Sequence, residues 1–307
     1  MGQRIALPRT RALTASGARR RRRALWPYGF VAPAIAVLAL VFVYPIVQVV
    51  RYSFYAGSPG EAMTYVGLAN YRNVVADPVF RHSVLNNVKL LATVPVMTAL
   101  ALAVALLLNG GIKGWRQFRA IVFLPYILPA AAVGLTFSYL LQRNGVINAF
   151  LHDVGLASLA PDWLGSTRWV VPSIGGVIIW QQLGFGVVVF TAALLALPGE
   201  VSEAARLDGA TSWQLQRLIL IPQIRGIVEF FVVLEAITVL SQVFNYVYVL
   251  TGGGPGNASS VMEFYIWKNG FSLGSVGVAS TVAVMLLGVA GVLIFVYMRV
   301  RARAASA

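Results

Sequence analysis

The chain is 307 residues long, 58% hydrophobic and 11% charged, with a formal net charge of +14. Soluble globular domains carry about a quarter charged residues, so this balance excludes that class and turns attention to apolar runs of about 20 residues, enough to cross a bilayer. With no cysteine, disulfides, thiolate metal sites and cysteine nucleophiles are excluded. The two histidines, His82 and His152, fall in expected loops and suggest no metal centre. The basic excess does not point to nucleic acid, because the arginines flank apolar runs, where membrane topology puts them.

The chain opens on a basic stretch of eight arginines that includes Arg19 to Arg23. Residues 1–24 read as a disordered cytoplasmic tail meeting anionic headgroups, either as a topology signal alone or as a specific contact. A basic stretch followed by an apolar one resembles a signal peptide. Here the apolar stretch is longer than a usual signal core and no clear small-residue cleavage site follows, so it reads as a retained first helix. Six continuous apolar runs lie at roughly 29–51, 85–108, 119–141, 171–196, 226–250 and 276–298. Each has the length of a membrane helix, and none alternates as a barrel strand would. The expected fold is an all-α polytopic membrane protein with six transmembrane helices, its membrane domain covering 25–303.

Lysine and arginine set the orientation. Of 24 such residues, 17 lie in the two tails, the 109–119 loop and the 197–225 loop. Seven lie on the opposite side: Arg51, Arg72, Arg81, Lys89, Arg143, Arg168 and Lys268. Positive residues stay inside, so the N- and C-termini and the 197–225 loop are expected in the cytoplasm. Prolines 45, 95, 125 and 129 fall within spans. Each frees a carbonyl and kinks its helix, which fits either a transport pathway or ordinary bending.

The loop between spans four and five, 197–222, reads LPGEVSEAARLDGATSWQLQRLILIP. Its acids Glu200 and Glu203 precede its cations Arg206 and Arg217, the order a short helix favours. Ser202 is the expected N-cap of a helix starting at Glu203. Gly209 breaks it, and 211–220 makes a second amphipathic piece ending at Pro222. Ala204, Leu207 and Trp213 supply apolar contacts. Such a surface helix suits docking in a partner's groove; a surface helix with no partner fits the residues equally well.

The spacing Glu203-Ala204-Ala205, three residues, Gly209, nine residues, Ile219, one residue, then Ile221-Pro222 resembles the EAA loop of ATP-binding-cassette importer permeases. Isoleucine 221 stands where the family pattern has leucine. The resemblance implies the type I importer permease fold, with 197–222 as the coupling loop. Glu203, Ala204, Ala205, Asp208, Gly209, Ile219 and Pro222 would then engage a cytoplasmic ABC ATPase dimer. Other segments narrow the likeness: Tyr44-Pro45 with Ser53-Phe54, YVGLANYRNVVADPVFRHSVLNN at 65–87, GVINAFL at 145–151 and VYVLTGGGPGNASS at 247–260. They resemble the maltose- and glycerol-phosphate-type sugar permeases. The C-terminus lacks the glycine-rich ending typical of the second permease of such pairs, so the chain looks like the first. The likeness covers roughly 27–300. It implies a second homologous permease, an extracytoplasmic solute-binding protein and a place in the plasma (inner) membrane.

The chain has no phosphate loop; Lys89, Lys113 and Lys268 follow Val, Ile and Trp, not glycine. No cofactor is therefore expected in this chain, ATP and Mg belonging to the partner, and no catalytic residue or metal site is expected either. Within the spans only Glu229 and Glu235 are acidic. Glu229 stands four residues after Arg225 and can pair with it. Glu235, deeper, either bonds a neighbouring helix or lines a cavity. A sugar needs several hydrogen bonds and an aromatic face. Span four offers Trp180, Gln181, Gln182 and Phe185; span five offers Thr238, Ser241, Gln242, Asn245 and Tyr246. Thr238, Gln242 and Asn245 recur at four- and three-residue spacing and are expected on one face. In maltose-type relatives, span-five residues near here contact sugar. The resemblance thus makes Gln181, Gln182, Glu235, Thr238, Gln242, Asn245 and Tyr246 the candidate pathway, although such amides also hold membrane helices together. Two rivals remain. An ion-coupled secondary carrier leaves the EAA spacing unexplained. A membrane-embedded enzyme needs a constellation that Glu229 and Glu235, six residues apart, do not form.

Overall fold

The structure, a computed structural model, describes residues 30–58, 63–109 and 114–305; the expected basic tail lies outside them. The chain divides into two units, the first ending at Arg51 and the second beginning at Tyr52. The first unit contributes one apolar helix, α1 (Phe30–Tyr52), π-helical over Ala39–Val43. Pro45, just after this stretch, has no N–H for the Val41 carbonyl and its ring crowds that carbonyl.

The second unit starts with a short antiparallel hairpin, β1 (Tyr55–Ala56) and β2 (Thr64–Tyr65), with Tyr55 opposite Tyr65. Asn70 Nδ2, on α2 (Ala69–Ala76), donates to the Ser53 and Tyr55 carbonyls at 2.9 Å each. The next helix, α3 (Pro78–Asn109), is 32 residues long. It begins well before the apolar run expected at 85–108, because Asp77 accepts from the Val79 N–H at 2.8 Å and Pro78 sits at the first position, a favoured helix start. His82 is therefore on a helix, and so is His152, on α6 (Val146–Asp153); the loop placement expected for both is corrected. Four residues before Pro95 the Leu91 carbonyl loses its donor, and the helix is interrupted at Ala92.

The third apolar run is two helices, α4 (Trp115–Ile127) and α5 (Ala130–Leu140), meeting at 95°. Then come α6 and α7 (Val170–Leu195), the most enclosed helix of the unit. Two of its glycines are required by close approach. A β-carbon on Gly184 would fall on the Val122 carbonyl oxygen of α4, and one on Gly186 would lie 2.7 Å from Ala101 Cβ on α3 and from Phe231 Cζ. Small residues let membrane helices approach this closely.

After α8 (Gly199–Leu207) and a helical stretch discussed below, α9 (Arg225–Leu250) returns along α7. The Thr251–Val261 loop is tied to α3. Asn86 Nδ2 donates to the Ala258 and Ser260 carbonyls at 2.7 and 2.9 Å, and Asn87 Oδ1 accepts the Met262 N–H at 2.8 Å. That bond opens α10 (Met262–Trp267), after which α11 (Val276–Ala305) closes the chain. One core cluster gathers Leu90, Val94, Ile174, Val243 and Val247; a second gathers Met97, Ala101, Phe190, Phe231 and, from beyond the spans, Ala205, Leu215 and Leu220.

Among the described residues five helices are long and apolar enough to cross a membrane, and the count is six when the bent α4–α5 pair is taken as one span. The all-α, six-span reading holds, with the third span broken.

Candidate functional site

The site is assembled around the break in the third span. Pro129 lacks an N–H, and the residue before a proline is driven out of the α region; Leu128 is accordingly extended, at φ −71° and ψ 139°. Its carbonyl accepts from Gln181 Nε2 on α7 at 2.7 Å. Gln181 Oε1 in turn accepts the Tyr246 hydroxyl of α9 at 2.7 Å. One buried amide thus joins the break, α7 and α9.

These groups border a cavity of about 440 Å³, to which Gln181, Gln182, Glu235, Thr238, Gln242 and Tyr246 all contribute. Asn245, which is exposed, does not. Adjacent helix residues lie about 100° apart, and Tyr246 rather than Asn245 turns to Gln181. The four- and three-residue spacing keeps Thr238, Gln242 and Asn245 on one face of α9; of the three, Thr238 and Gln242 border the cavity. Trp180, offered as an aromatic neighbour, is 44% exposed and packs edge-on against Phe137 at 5.0 Å instead. Two contributors escape a reading of spans four and five. Tyr126 stacks on Phe185 with ring centroids 4.9 Å apart, and the Leu128 carbonyl is exposed to partners by the break. The paired Pro125 and Pro129 were the available signal for both.

Glu235 is 1% exposed, and its Oε2 has no hydrogen-bond partner among the described residues. Glu229 instead pairs with Arg225, Oε1 lying 2.6 Å from Nε, as its four-residue spacing implies. Among the described residues no group of histidine and acidic side chains could hold a metal ion.

The connection between α7 and α9 forms a second candidate site. The helix α8 starts at Gly199, behind Pro198, rather than at Glu203, so Ser202 is inside it and does not cap it. Pro198 is itself the N-cap, with extended backbone at φ −59° and ψ 129°. Gly209 follows at φ +84°, a conformation costly for any residue with a β-carbon, and the Ala210 N–H closes the turn on the Ala205 carbonyl at 2.9 Å. Thr211 then caps the next piece in a reciprocal arrangement with Gln214, satisfying two free donors. The stretch runs through Ser212–Gln214, a π-helical Leu215–Leu220 and Ile221–Gln223. It therefore passes Pro222, where an end was expected.

Within this segment Ala205 is buried and packs with Leu215 and Leu220, while Glu203, Ala204, Asp208, Gly209 and Pro222 are exposed and Ile219 is half-buried. Leu207 is 88% and Trp213 65% exposed, so most of their apolar surface is turned outward. A third feature is a cleft of about 810 Å³ where His82 and Lys89 of α3 face Arg168 and the Pro255–Ala258 loop. It is larger than the α7–α9 cavity but holds none of the candidate pathway residues.

Residues 96–304 match the family described as "Binding-protein-dependent transport system inner membrane component". The chain is 33% identical over 267 residues to the probable ABC transporter permease protein YurN of Bacillus subtilis, covering 85% of this chain and 90% of that one. It is 31% identical to the lactose transport system permease protein LacF of Rhizobium radiobacter, covering 87% and 90%. It also shares its fold, at a TM-score of 0.79 and 21% identity over 91% and 94% of the two chains, with a chain of a bacterial alginate ABC transporter crystallised with an alginate-pentasaccharide-bound periplasmic protein. The six-span fold with its broken third helix, the EAA-spaced segment joining two cavity-lining helices and these likenesses agree: the chain belongs to the binding-protein-dependent inner membrane components, the multi-pass permease subunits of ABC transporters.

Proposed function

We propose that this permease carries one side of the membrane pathway of a sugar importer, and that a separate ATPase drives it through residues 197–222. The observation that carries the reading is a matter of connectivity. The two helices that line the polar cavity, α7 and α9, are the two helices joined by the exposed segment with Leu207 and Trp213 outward. A partner gripping that segment moves both cavity walls at once. Apolar side chains left this exposed beside a charged helix suit a groove on another protein.

In this reading the termini and the 197–225 loop are cytoplasmic, in line with the arginine distribution. ATP and Mg are held by an ABC ATPase dimer, whose closure rocks the bundle between outward and inward access. A second homologous permease supplies the other half of the pathway, with this chain as the first of the pair. A solute-binding protein delivers sugar to the side where the Thr251–Val261 loop lies; the alginate transporter of like fold is solved with such a periplasmic protein. The sugar class rests on the lactose permease relative and on the amide, hydroxyl and aromatic groups around the cavity, which suit a polyhydroxylated ring. Glu203, Ala204, Ala205, Asp208, Gly209, Ile219 and Pro222 are assigned to coupling. Gln181, Gln182, Glu235, Thr238, Gln242 and Tyr246 are assigned to the pathway. Family membership leaves the ion-coupled carrier without support.

The test is to purify the chain from its native membrane in mild detergent and identify what accompanies it. An ATPase with a phosphate loop and a second six-span permease are expected, and the complex in proteoliposomes should accumulate sugar only with ATP on the cytoplasmic side. A chain that purifies alone, or uptake that follows an ion gradient without ATP, would sink the reading.

A further inference from the structure

Between the third and fourth spans the chain makes an excursion, residues 141–163, that borders neither the α7–α9 cavity nor the larger cleft. Hydrogen bonds set its level. The Gly145 N–H donates to the Gln142 carbonyl at 2.8 Å, turning the chain back directly after α5. Asn148 Nδ2, buried on α6, donates to the Arg143 and Pro161 carbonyls at 3.0 Å each, and its Oδ1 accepts from Trp163 Nε1 at 2.7 Å. The Trp163 carbonyl accepts the Ser173 hydroxyl, in the first turn of α7, at 3.1 Å. One asparagine therefore pins α6 between the ends of two membrane spans, at the level where they leave the bilayer.

Successive residues of an α-helix are about 100° apart, and α6 shows three sectors. Ile147, Asn148 and Leu151 turn to the protein, Ile147 against the core cluster of Ile174 and Val247. His152 and Asp153, with Ala149 between them, form an exposed polar flank. Val146, Phe150 and, at the helix end, Val154 form an exposed apolar flank. Past Gly155, left-handed at φ +77°, Leu156 and Leu159 are exposed too. A helix that only packs on a protein and faces water needs two sectors. A third, apolar and turned outward, is what a helix shows where protein, hydrocarbon and water meet.

We propose that α6 and the turn after it are an interfacial anchor, with Val146, Phe150, Val154, Leu156 and Leu159 seated in the acyl-chain boundary of the leaflet on the side of the Thr251–Val261 loop. The occupant is lipid because the exposed face follows directly from that of a bilayer-crossing helix: Leu135 and Tyr139, on α5, are exposed as well. Tyr139 and Trp169, exposed where α5 ends and α7 begins, are residue types that favour the boundary between bilayer and water. The apolar flank carries no cation, so its seat does not depend on anionic headgroups. The anchor holds one end of α5, whose other end, Pro129 and Ala130, borders the α7–α9 cavity. This role requires only that the chain spans a membrane, so failure of the sugar reading leaves it untouched.

The chain contains no cysteine, so single thiols report one position each. Phe150→Cys, Val154→Cys and Leu159→Cys probe the apolar flank, and Ala149→Cys and His152→Cys the polar one; with five positions, no single misfolded variant decides. Each is purified with whatever accompanies it from the native membrane, labelled with a thiol-reactive fluorophore and placed in phosphatidylcholine nanodiscs. The cysteine-free chain, treated alike, subtracts labelling of companions. Quenchers are a nitroxide high on the lipid acyl chain and iodide in the water. Apolar-flank labels should be quenched about threefold more by the nitroxide than polar-flank labels, and about threefold less by iodide, as partition to the acyl boundary requires. Mixing in phosphatidylglycerol should change neither ratio. Apolar-flank labels shielded from both quenchers would put another chain on this face and overturn the anchor. Labels open to iodide would put the face in water and overturn it too, and loss of that access on adding the solute-binding protein would name that protein as the occupant. Nitroxide quenching that appears only with phosphatidylglycerol present would overturn the apolar seat.

Discussion

Tyr246 and Gln181, 65 residues apart in the chain, are joined by a 2.7 Å hydrogen bond from the tyrosine hydroxyl to the amide oxygen. The other end of the same amide holds the carbonyl at the helix break, Leu128, at 2.7 Å. A proline break in a span is tolerated only where the freed backbone is re-satisfied, and here one side chain does so while itself held from α9. Tyr246→Phe keeps the ring and strands the buried Oε1 of Gln181, a loss of about 1–3 kcal/mol. Gln181→Leu strands both the Leu128 carbonyl and the Tyr246 hydroxyl and should cost more. Thermal unfolding of the detergent-purified protein checks the order; a Tyr246→Phe curve that overlays the wild type would show that the bond stabilises nothing.

Gly209 lies at φ +84°, and a β-carbon there would touch nothing within 4 Å. The demand on this residue is conformational, not spatial. Gly209→Ala should therefore cost only about 1 kcal/mol, the penalty of a left-handed backbone on an L residue, and leave transport measurable. Gly209→Asp and Glu203→Lys change the charge of an exposed surface and no span, so both should insert normally yet lose ATP-driven uptake. ATPase activity that still responds to sugar, with uptake unimpaired in either charged variant, would remove this segment from coupling.

Legibility in the sequence followed the range of the interactions involved. The apolar runs were readable because bilayer thickness sets the length of a membrane helix wherever it occurs. Pro125 and Pro129 marked the third span as defective, but its 95° turn depends on a partner 53 residues away, Gln181, and nothing local to the prolines announces that contact. That Asn245 does not border the cavity has a similar origin. Spacing put it on one face with Thr238 and Gln242, and it does lie there, but only the packing of α9 against α7 decided that Tyr246 and not Asn245 borders the cavity. His82 was read into a loop because its surroundings are polar; Asp77 and Pro78, a local helix start, outweighed that polarity. Pro198 did the same at the start of α8, displacing Ser202 from the cap.

Gly184 and Gly176, two turns apart on α7, make a matched pair. A β-carbon on Gly184 would meet the backbone of α4, including Phe123 Cα at 2.7 Å, whereas one on Gly176 would meet nothing within 4 Å. Backbone cannot swing aside as a side chain does, so Gly184→Ala should push α4 away and cost about 1–3 kcal/mol, as overpacking does. Gly176→Ala should be neutral or stabilise by up to about 1 kcal/mol, the helix propensity gained over glycine. Unfolding in detergent compares the two; equal effects would mean that the α4–α7 contact is looser than the structure gives.

Glu263, on the short α10 outside the spans, is held by Asn87, whose Nδ2 lies 3.1 Å from each carboxyl oxygen. Burial pushes its carboxyl up from 4.5 to about 7, against the opposing pull of its own backbone N–H and of Asn87. The unfolded chain releases the proton near 4.5 and the folded chain near 7, so the folded state holds the extra proton in between. Stability is then fully present below the lower value and falls as pH rises through the upper one, by about 3 kcal/mol at most. Glu263→Gln keeps an oxygen for Asn87 and has nothing to titrate, so its unfolding temperature should change less between pH 5 and 8. Thermal unfolding of both proteins across that range decides the matter. The wild type should lose stability relative to Glu263→Gln as the pH climbs, and two parallel profiles would mean that the carboxyl is solvated and that Asn87 holds the Thr251–Val261 loop through the Met262 N–H alone.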